Sequence, residues 1–172
     1  MTQESTSAAT ARTILEAAGR RDPDALGALY RDDVVVEWLP VGRFEGKQAV
    51  LGFWKEIFES VPDSRIELLS VVSEGDTAVM EWRWHGTFSG GPYIGIHATG
   101  KEVDFRGCDV MRFADGLLAS EVIYFDGLGW ARQIGLLPGQ GTAGDKALTA
   151  VFNATTDLRA AINEWWTKRK VE

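Results

Sequence analysis

The chain has 172 residues, the size of one domain, with 45% hydrophobic residues, 25% charged residues and a formal net charge of −7. No basic cluster is longer than residues 168–170, which argues against nucleic acid as a partner. The single cysteine, Cys108, excludes an intrachain disulfide, and no apolar run approaches the roughly 18 residues that span a bilayer. The first ten residues lack the pattern of a secretory signal. We therefore expect a cytoplasmic protein without a membrane partner.

The first part of the chain predicts helices around one strand. Apolar spacing predicts a helix over 8–19, and Asp22 before a proline marks the start of a second, short helix. The β-branched run at 32–40 predicts a strand. Apolar residues then recur every three or four positions across 46–61, which predicts the most clearly amphipathic helix.

From residue 65 onward the hydrophobic period changes to two. Residues 65–88 predict a hairpin that turns at 74–76, and 102–126 predict a second that turns at 114–116. A glycine-rich loop joins them. Helices followed by antiparallel hairpins indicate an α+β fold in which a curved sheet wraps onto the helices.

The end of the chain is predicted to be a glycine-rich linker and one more helix. We expect residues 1–138 to form the main domain and 139–172 to hold this linker and helix. The helix carries an apolar stripe, which must be buried on this subunit or on a partner. Its members are Leu148, Val151, Phe152, Thr155, Leu158, Ile162 and Trp165.

One carboxylate stands on an otherwise apolar strand face. Every second residue from 103 to 113 is apolar or glycine except Asp109. A buried, unpaired charge is costly, so such a carboxyl is usually paired, protonated or functional. Asp109 either faces a pocket, pairs with Arg83 or Arg106, or tilts outward at a bulge near Gly107.

Two long segments resemble a known superfamily. LYRDDVVVEWLPVGRFEGKQAVLGFW resembles the opening of nuclear-transport-factor-2-like proteins, and VMRFADGLLASEVIYFDGLGWARQIGLLP resembles the closing strands of SnoaL-like polyketide cyclases. The resemblance covers roughly residues 8–138. It implies a cone-shaped α+β barrel, with N-terminal helices packed on a strongly curved, mainly antiparallel sheet around a pocket, plus an extra C-terminal helix. Since this superfamily holds enzymes, binding modules and dimerisation domains, fold alone does not fix function.

Within this superfamily, DVMRF resembles the ketosteroid isomerase strand whose aspartic acid donates a hydrogen bond to the substrate oxyanion. This implies that role for Asp109, with apolar neighbours such as Phe105 and Met111 keeping it protonated. The isomerase's base and tyrosine are replaced here by Trp38 and Ile14, which argues against steroid isomerisation.

The polyketide cyclases and limonene-type epoxide hydrolases carry an acid on the last strand, where this chain has Ile123. Two carboxylates nearby are candidate replacements. Glu121 shares the face of Ile123, and Asp126 lies at the strand's end. Otherwise Glu121 is a salt-bridge partner at the pocket rim and Asp126 caps the next helical turn.

The segment EWRWHGTF alternates between two faces. Arg83 and His85 share one face, whereas Trp82 and Trp84 share the other. Simple amphipathicity places the tryptophans in the core. The resemblance implies the reverse, with His85 as a proton carrier, Arg83 binding substrate or orienting Asp109, and the tryptophans at a dimer interface.

Further side chains are candidate pocket walls. These are Trp38, Trp54, Phe58, Phe105, Met111, Ile123 and the loop residue Tyr93. No motif for a metal or a nucleotide is present, so we expect no cofactor.

Three functions stay open. The first is an acid–base cyclase or isomerase acting on a hydrophobic, oxygenated, polyketide-like substrate. The others are an epoxide hydrolase-like enzyme and a non-catalytic ligand-binding or dimerisation module. In each case a homodimer is expected.

Overall fold

The computed structural model describes residues 5–169. The helices are α1 (Thr6–Gly19), α2 (Pro23–Leu29), α3 (Lys47–Ser60), α4 (Gly127–Gln133) and α5 (Ala143–Arg169). The strands are β1 (Tyr30–Leu39), β2 (Gly42–Glu45), β3 (Arg65–Glu74), β4 (Thr77–Phe88), β5 (Lys101–Ala114) and β6 (Leu117–Phe125).

Local sequence explains where the helices begin. Ser5 caps α1 by accepting a hydrogen bond from the backbone N–H of Ala8, and Asp22 caps α2 by accepting from that of Ala25 at 2.9 Å. Pro23 occupies the first position of α2, as predicted. The amphipathic α3 buries Val50, Phe53, Trp54 and Ile57.

The strands form one six-stranded sheet in the order β2-β1-β6-β5-β4-β3. Only the β1–β6 pair is parallel. Helix α1 packs on β3 and β4, and α3 packs on β1. The expected α+β class is confirmed, with N-terminal helices on a mainly antiparallel sheet and an extra C-terminal helix. The sheet is not closed into a barrel, because β2 and β3 are opposite edges that do not pair with each other.

The inner face of β5 follows the predicted alternation. Val103, Gly107, Asp109, Met111 and Phe113 are all buried. Asp109 therefore lies inside the core with its apolar neighbours. Neither of the alternatives for Asp109, an ion pair or an outward tilt, occurs.

Helix α5 lies outside this core. From residue 146 to residue 167 every side chain is exposed. At its start, Arg132 pairs with Asp145 at 3.3 Å and the backbone N–H of Gly141 donates to Asp145 Oδ2 at 2.9 Å. Over the described residues 5–169, no helix is long and apolar enough to cross a membrane.

Candidate active site

Two buried carboxyl groups lie side by side on the inner face of the sheet. Asp109 is opposite Ile123 in the β5–β6 ladder, and Met111 is opposite Glu121. Asp109 and Glu121 are therefore diagonal neighbours, a separation that long side chains can bridge. Their exposed fractions are 5% and 3%. Two adjacent strands thus deliver both acids to one point in the core.

The two acids line a small, mostly apolar cavity between the sheet, α1 and α3. Its volume is about 20 Å³, which is room for about one water molecule. The other wall residues are Ile14, Leu15, Ala18, Trp38, Trp54, Ile66, Met80, Trp82, Trp84 and Ile123.

Four buried polar atoms of this wall have no hydrogen-bond partner. Two are acceptors, Asp109 Oδ1 and Glu121 Oε2, and two are indole donors, Nε1 of Trp38 and of Trp84. Such atoms are rare in folded proteins, because each loses its bonds to water without replacement. A polar ligand in this cavity could form hydrogen bonds with these unpaired donors and acceptors.

Burial changes the acidity of both carboxyls. It raises the pKa of Asp109 to about 7, although a hydrogen bond from Trp82 opposes the rise. Burial also raises the pKa of Glu121 well above its ordinary value, and the neighbouring charge of Asp109 raises it further. The indole N–H stabilises the charged form of Asp109, which favours ionisation of Asp109 before Glu121.

Trp82 reaches Asp109 because its partner across the ladder is a glycine. Trp82 is paired with Gly107, and a Cβ at residue 107 would lie 2.2 Å from the indole ring. Only a glycine leaves room for the ring there.

A second cavity of about 20 Å³ shares two wall residues with the first, Trp38 and Trp84. The remaining walls are mainly aromatic and comprise Ile57, Ser60, Tyr93, Phe105, Phe125 and Trp130. The interior therefore has an acidic end and an aromatic end.

The prediction that Arg83 and His85 point into the cone is wrong. The inward residues of β4 are Met80, Trp82 and Trp84, because burying the large aromatic rings decides the register. Arg83 forms an outer-face ion pair with Asp104. His85 is also on the outer face, with Nε2 3.6 Å from Glu67. The tryptophans accordingly do not form an outer dimer surface.

Asp126 also lies outside the cavities. Its side chain is exposed and accepts a hydrogen bond from the backbone N–H of Gly129 at 2.8 Å, so it is the N-cap of α4. This was the alternative interpretation, and the helix start explains it.

The predicted wall residues divide into two groups. Trp38, Trp54 and Ile123 line the first cavity, and Tyr93 and Phe105 line the second. Phe58 and Met111 were predicted to line the pocket and are outside both walls. Phe58 stacks on Trp54, with 5.4 Å between the ring centroids. Met111 is fully buried in the core beside Glu121.

Sequence reasoning missed Tyr30 and undervalued Trp84. Tyr30 is fully buried at the start of β1, and its hydroxyl accepts a hydrogen bond from Trp54 Nε1 at 3.2 Å. Burial raises the pKa of Tyr30, and so does the nearby Glu121. For Trp84, the sequence did carry a signal: Trp84 alternates with the charged Arg83 along β4, which indicates that Trp84 faces the core.

The chain matches the model of one protein family. The SnoaL-like domain model matches residues 11–121, which include both buried acids. The chain belongs to the SnoaL-like domain family. None of the curated proteins compared with it matches.

Solved structures agree in fold. A candidate SnoaL-like polyketide cyclase from Jannaschia sp. CCS1 is 20% identical, covers 80% of this chain and 100% of its own, and superposes with a TM-score of 0.72. AclR, a candidate hydroxylase from Streptomyces galilaeus, is 19% identical over 92% of this chain and 94% of its own, with a TM-score of 0.69. TsrD from Streptomyces laurentii is 26% identical over 80% of this chain and 100% of its own, also at 0.69. A protein with a ketosteroid isomerase-like fold from Catenulispora acidiphila is 16% identical over 73% of this chain and 92% of its own, with a TM-score of 0.64.

Proposed function

We propose that this SnoaL-like protein is a cofactor-independent enzyme that moves a proton next to a carbonyl group, as a cyclase or isomerase does. The substrate class is a hydrophobic, oxygenated, polyketide-like molecule. One observation carries the proposal: the buried Asp109–Glu121 pair lines the same cavity as Trp38 and Trp84, whose buried indole N–H groups have no hydrogen-bond partner.

The two carboxyls have complementary roles. Asp109 acts as the carboxylate, stabilised by a hydrogen bond from Trp82. It takes a proton from the carbon beside the substrate carbonyl. The electron pair of that C–H bond moves into an enolate, whose oxygen accepts hydrogen bonds from the protonated Glu121 or an indole N–H. This reverses the role that the family resemblance implied for Asp109, because Trp82 is a donor to its charged form.

Ring closure needs no outside reagent. The enolate carbon attacks a second carbonyl of the same molecule, a C–C bond forms, and the new alkoxide takes the proton of Glu121. The proton on Asp109 then passes to Glu121, which restores the starting state. The product has the composition of the substrate, so no oxidant or cofactor is consumed.

The interior has to open before it can admit this substrate class. A drug-sized ligand needs several hundred Å³, whereas each cavity is about 20 Å³. Binding must therefore move the indoles of Trp38 and Trp84, which would join the acidic end to the aromatic end. A planar, partly aromatic molecule suits a wall rich in aromatic rings.

The epoxide hydrolase alternative is less favoured. It placed Arg83 as the positioning residue and His85 or a carboxylate as the base that activates water, and Arg83 and His85 are both on the outer face.

Proton exchange tests the proposal without knowledge of the natural substrate. We expect the protein to accelerate exchange of the α-protons of 2-tetralone, a small bicyclic ketone, in deuterium oxide, followed by NMR. Asp109→Asn should slow the catalysed exchange by about 100-fold or more. The control His85→Gln should leave it unchanged. Exchange at the buffer rate with the unaltered protein, or full activity in Asp109→Asn, would contradict the proposal.

A further inference from the structure

The exposed helix α5 has the pattern of a helix-pairing surface. Seven of its large apolar side chains are between 45% and 67% exposed: Leu148, Val151, Phe152, Leu158, Ile162, Trp165 and Trp166. A helix of this length extends about 40 Å. Since isolated helices are marginal in water and α5 contains several threonines, packing on a partner must stabilise it.

The spacing of the stripe identifies that partner as another helix. Leu148, Val151, Thr155, Leu158, Ile162 and Trp165 follow one another at intervals of three and four residues, an unbroken heptad pattern over almost three repeats. This period keeps one seam facing a partner helix. Thr155 fits the seam, because its hydroxyl is satisfied by the carbonyl of Phe152 at 2.8 Å.

The two flanks of the seam differ. One flank is small, with Ala147, Ala154 and Ala161 spaced by seven residues. The other flank carries Phe152, Arg159 and Trp166, also spaced by seven, and these three residues lie beside the seam. Small residues allow two helix axes to approach closely on one side.

We propose that α5 pairs antiparallel with α5 of a second copy of this chain. Reversing the helix about the midpoint between residues 156 and 157 places each seam residue opposite another: Leu148 opposite Trp165, Val151 opposite Ile162, and Thr155 opposite Leu158.

The flanks match in the same arrangement. Ala154 faces Ala161 of the second copy, and Phe152 lies beside its Arg159, a cation–π pairing. The surface is complementary to itself, as the interface of a two-fold symmetric dimer has to be.

A parallel pair fits less well. It would place Thr155 on Thr155, align the two helix dipoles in the same direction, and bring the two folded bodies together beside Ala143. The antiparallel pair separates the bodies to opposite ends.

The area is sufficient for a dimer. The three aromatic side chains are half to two-thirds exposed and would bury about 300 Å² per copy. With the aliphatic residues, the two copies together reach about 1,000 Å², the lower bound for a specific interface.

Sedimentation velocity of the full chain tests the pairing. We expect a dimer at about 20 µM, and a monomer after Leu158→Asp or Ile162→Asp, since a charge in the seam should weaken association by about 100-fold or more. The control Ala160→Asp, on the opposite side of α5, should remain a dimer. A monomeric unaltered protein, or a dimer that survives both seam variants, would overturn the proposal.

Disulfide trapping then tests the direction in a Cys108→Ser background. Thr155→Cys and Leu158→Cys chains should cross-link with each other when mixed, and neither should cross-link with itself. Self-linked Leu158→Cys dimers would show a parallel pair and overturn the antiparallel arrangement.

Discussion

Gly107 controls the surroundings of Asp109 through the side chain that it lacks. The indole of Trp82 occupies the space above residue 107, and from there Trp82 is a hydrogen-bond donor to Asp109. The acidity of Asp109 thus depends on a residue that carries no chemistry of its own.

Gly107→Ala should therefore destabilise the fold and displace Trp82. We expect a loss of about 1–3 kcal/mol in the free energy of unfolding, measured with denaturant, because the methyl group overpacks the core. The control Gly52→Ala lies on the exposed side of α3 with nothing within 4 Å, and it should gain up to about 1 kcal/mol. Equal stability of Gly107→Ala and the unaltered protein would show that the ring can move aside.

The acid pair should make stability fall as pH rises. The folded state holds protons on Asp109 and Glu121 that the unfolded chain releases near pH 4, since burial raises both pKa values. The stabilisation is fully present below pH 4 and is lost as pH rises through about 7 for Asp109.

Replacing the Asp109 carboxyl should remove its part of this slope, while Glu121 still contributes. Asp109→Asn should unfold with a free energy close to that of the unaltered protein at pH 4 and up to about 4 kcal/mol higher at pH 8. Denaturant unfolding at a series of pH values measures the difference. Parallel pH profiles of the two proteins would contradict the raised pKa.

At the scale of elements, Asp126 belongs to helix α4 and not to the catalytic pair. Asp126→Ala should cost about 1 kcal/mol of unfolding free energy through loss of the N-cap. Exchange of 2-tetralone should change by less than about two-fold, since the side chain is exposed outside both cavities. A loss of exchange as large as that of Asp109→Asn would place Asp126 in the reaction after all.

Periodicity predicted most elements but not which face of β4 points inward. Alternation separated Arg83 and His85 from Trp82 and Trp84, and either orientation satisfied the pattern. The burial of two indoles decided it, as simple amphipathicity suggests. The four-residue β2 was missed, because so short a strand shows no period.

At the scale of the whole molecule, the pairing of Asp109 with Glu121 was beyond sequence reasoning. Alternation within each strand placed Asp109 on an apolar face and Glu121 on the face of Ile123. Their proximity depends on the register between β5 and β6, which the bulge near Arg112 shifts. The positions of the two acids in the interior of this SnoaL-like protein thus depend more on the pairing of β5 with β6 than on local sequence motifs.

The proposed reaction requires the Asp109–Glu121 pair to keep a proton at neutral pH inside the closed interior. The most direct test is an NMR pH titration of the side-chain carboxyl carbons, assigned with Asp109→Asn and Glu121→Gln. We expect Glu121 to be still protonated at pH 7 and Asp109 to titrate at a pH far above that of an ordinary aspartate. Ordinary titration of both carboxyls between pH 3 and pH 5 would contradict it.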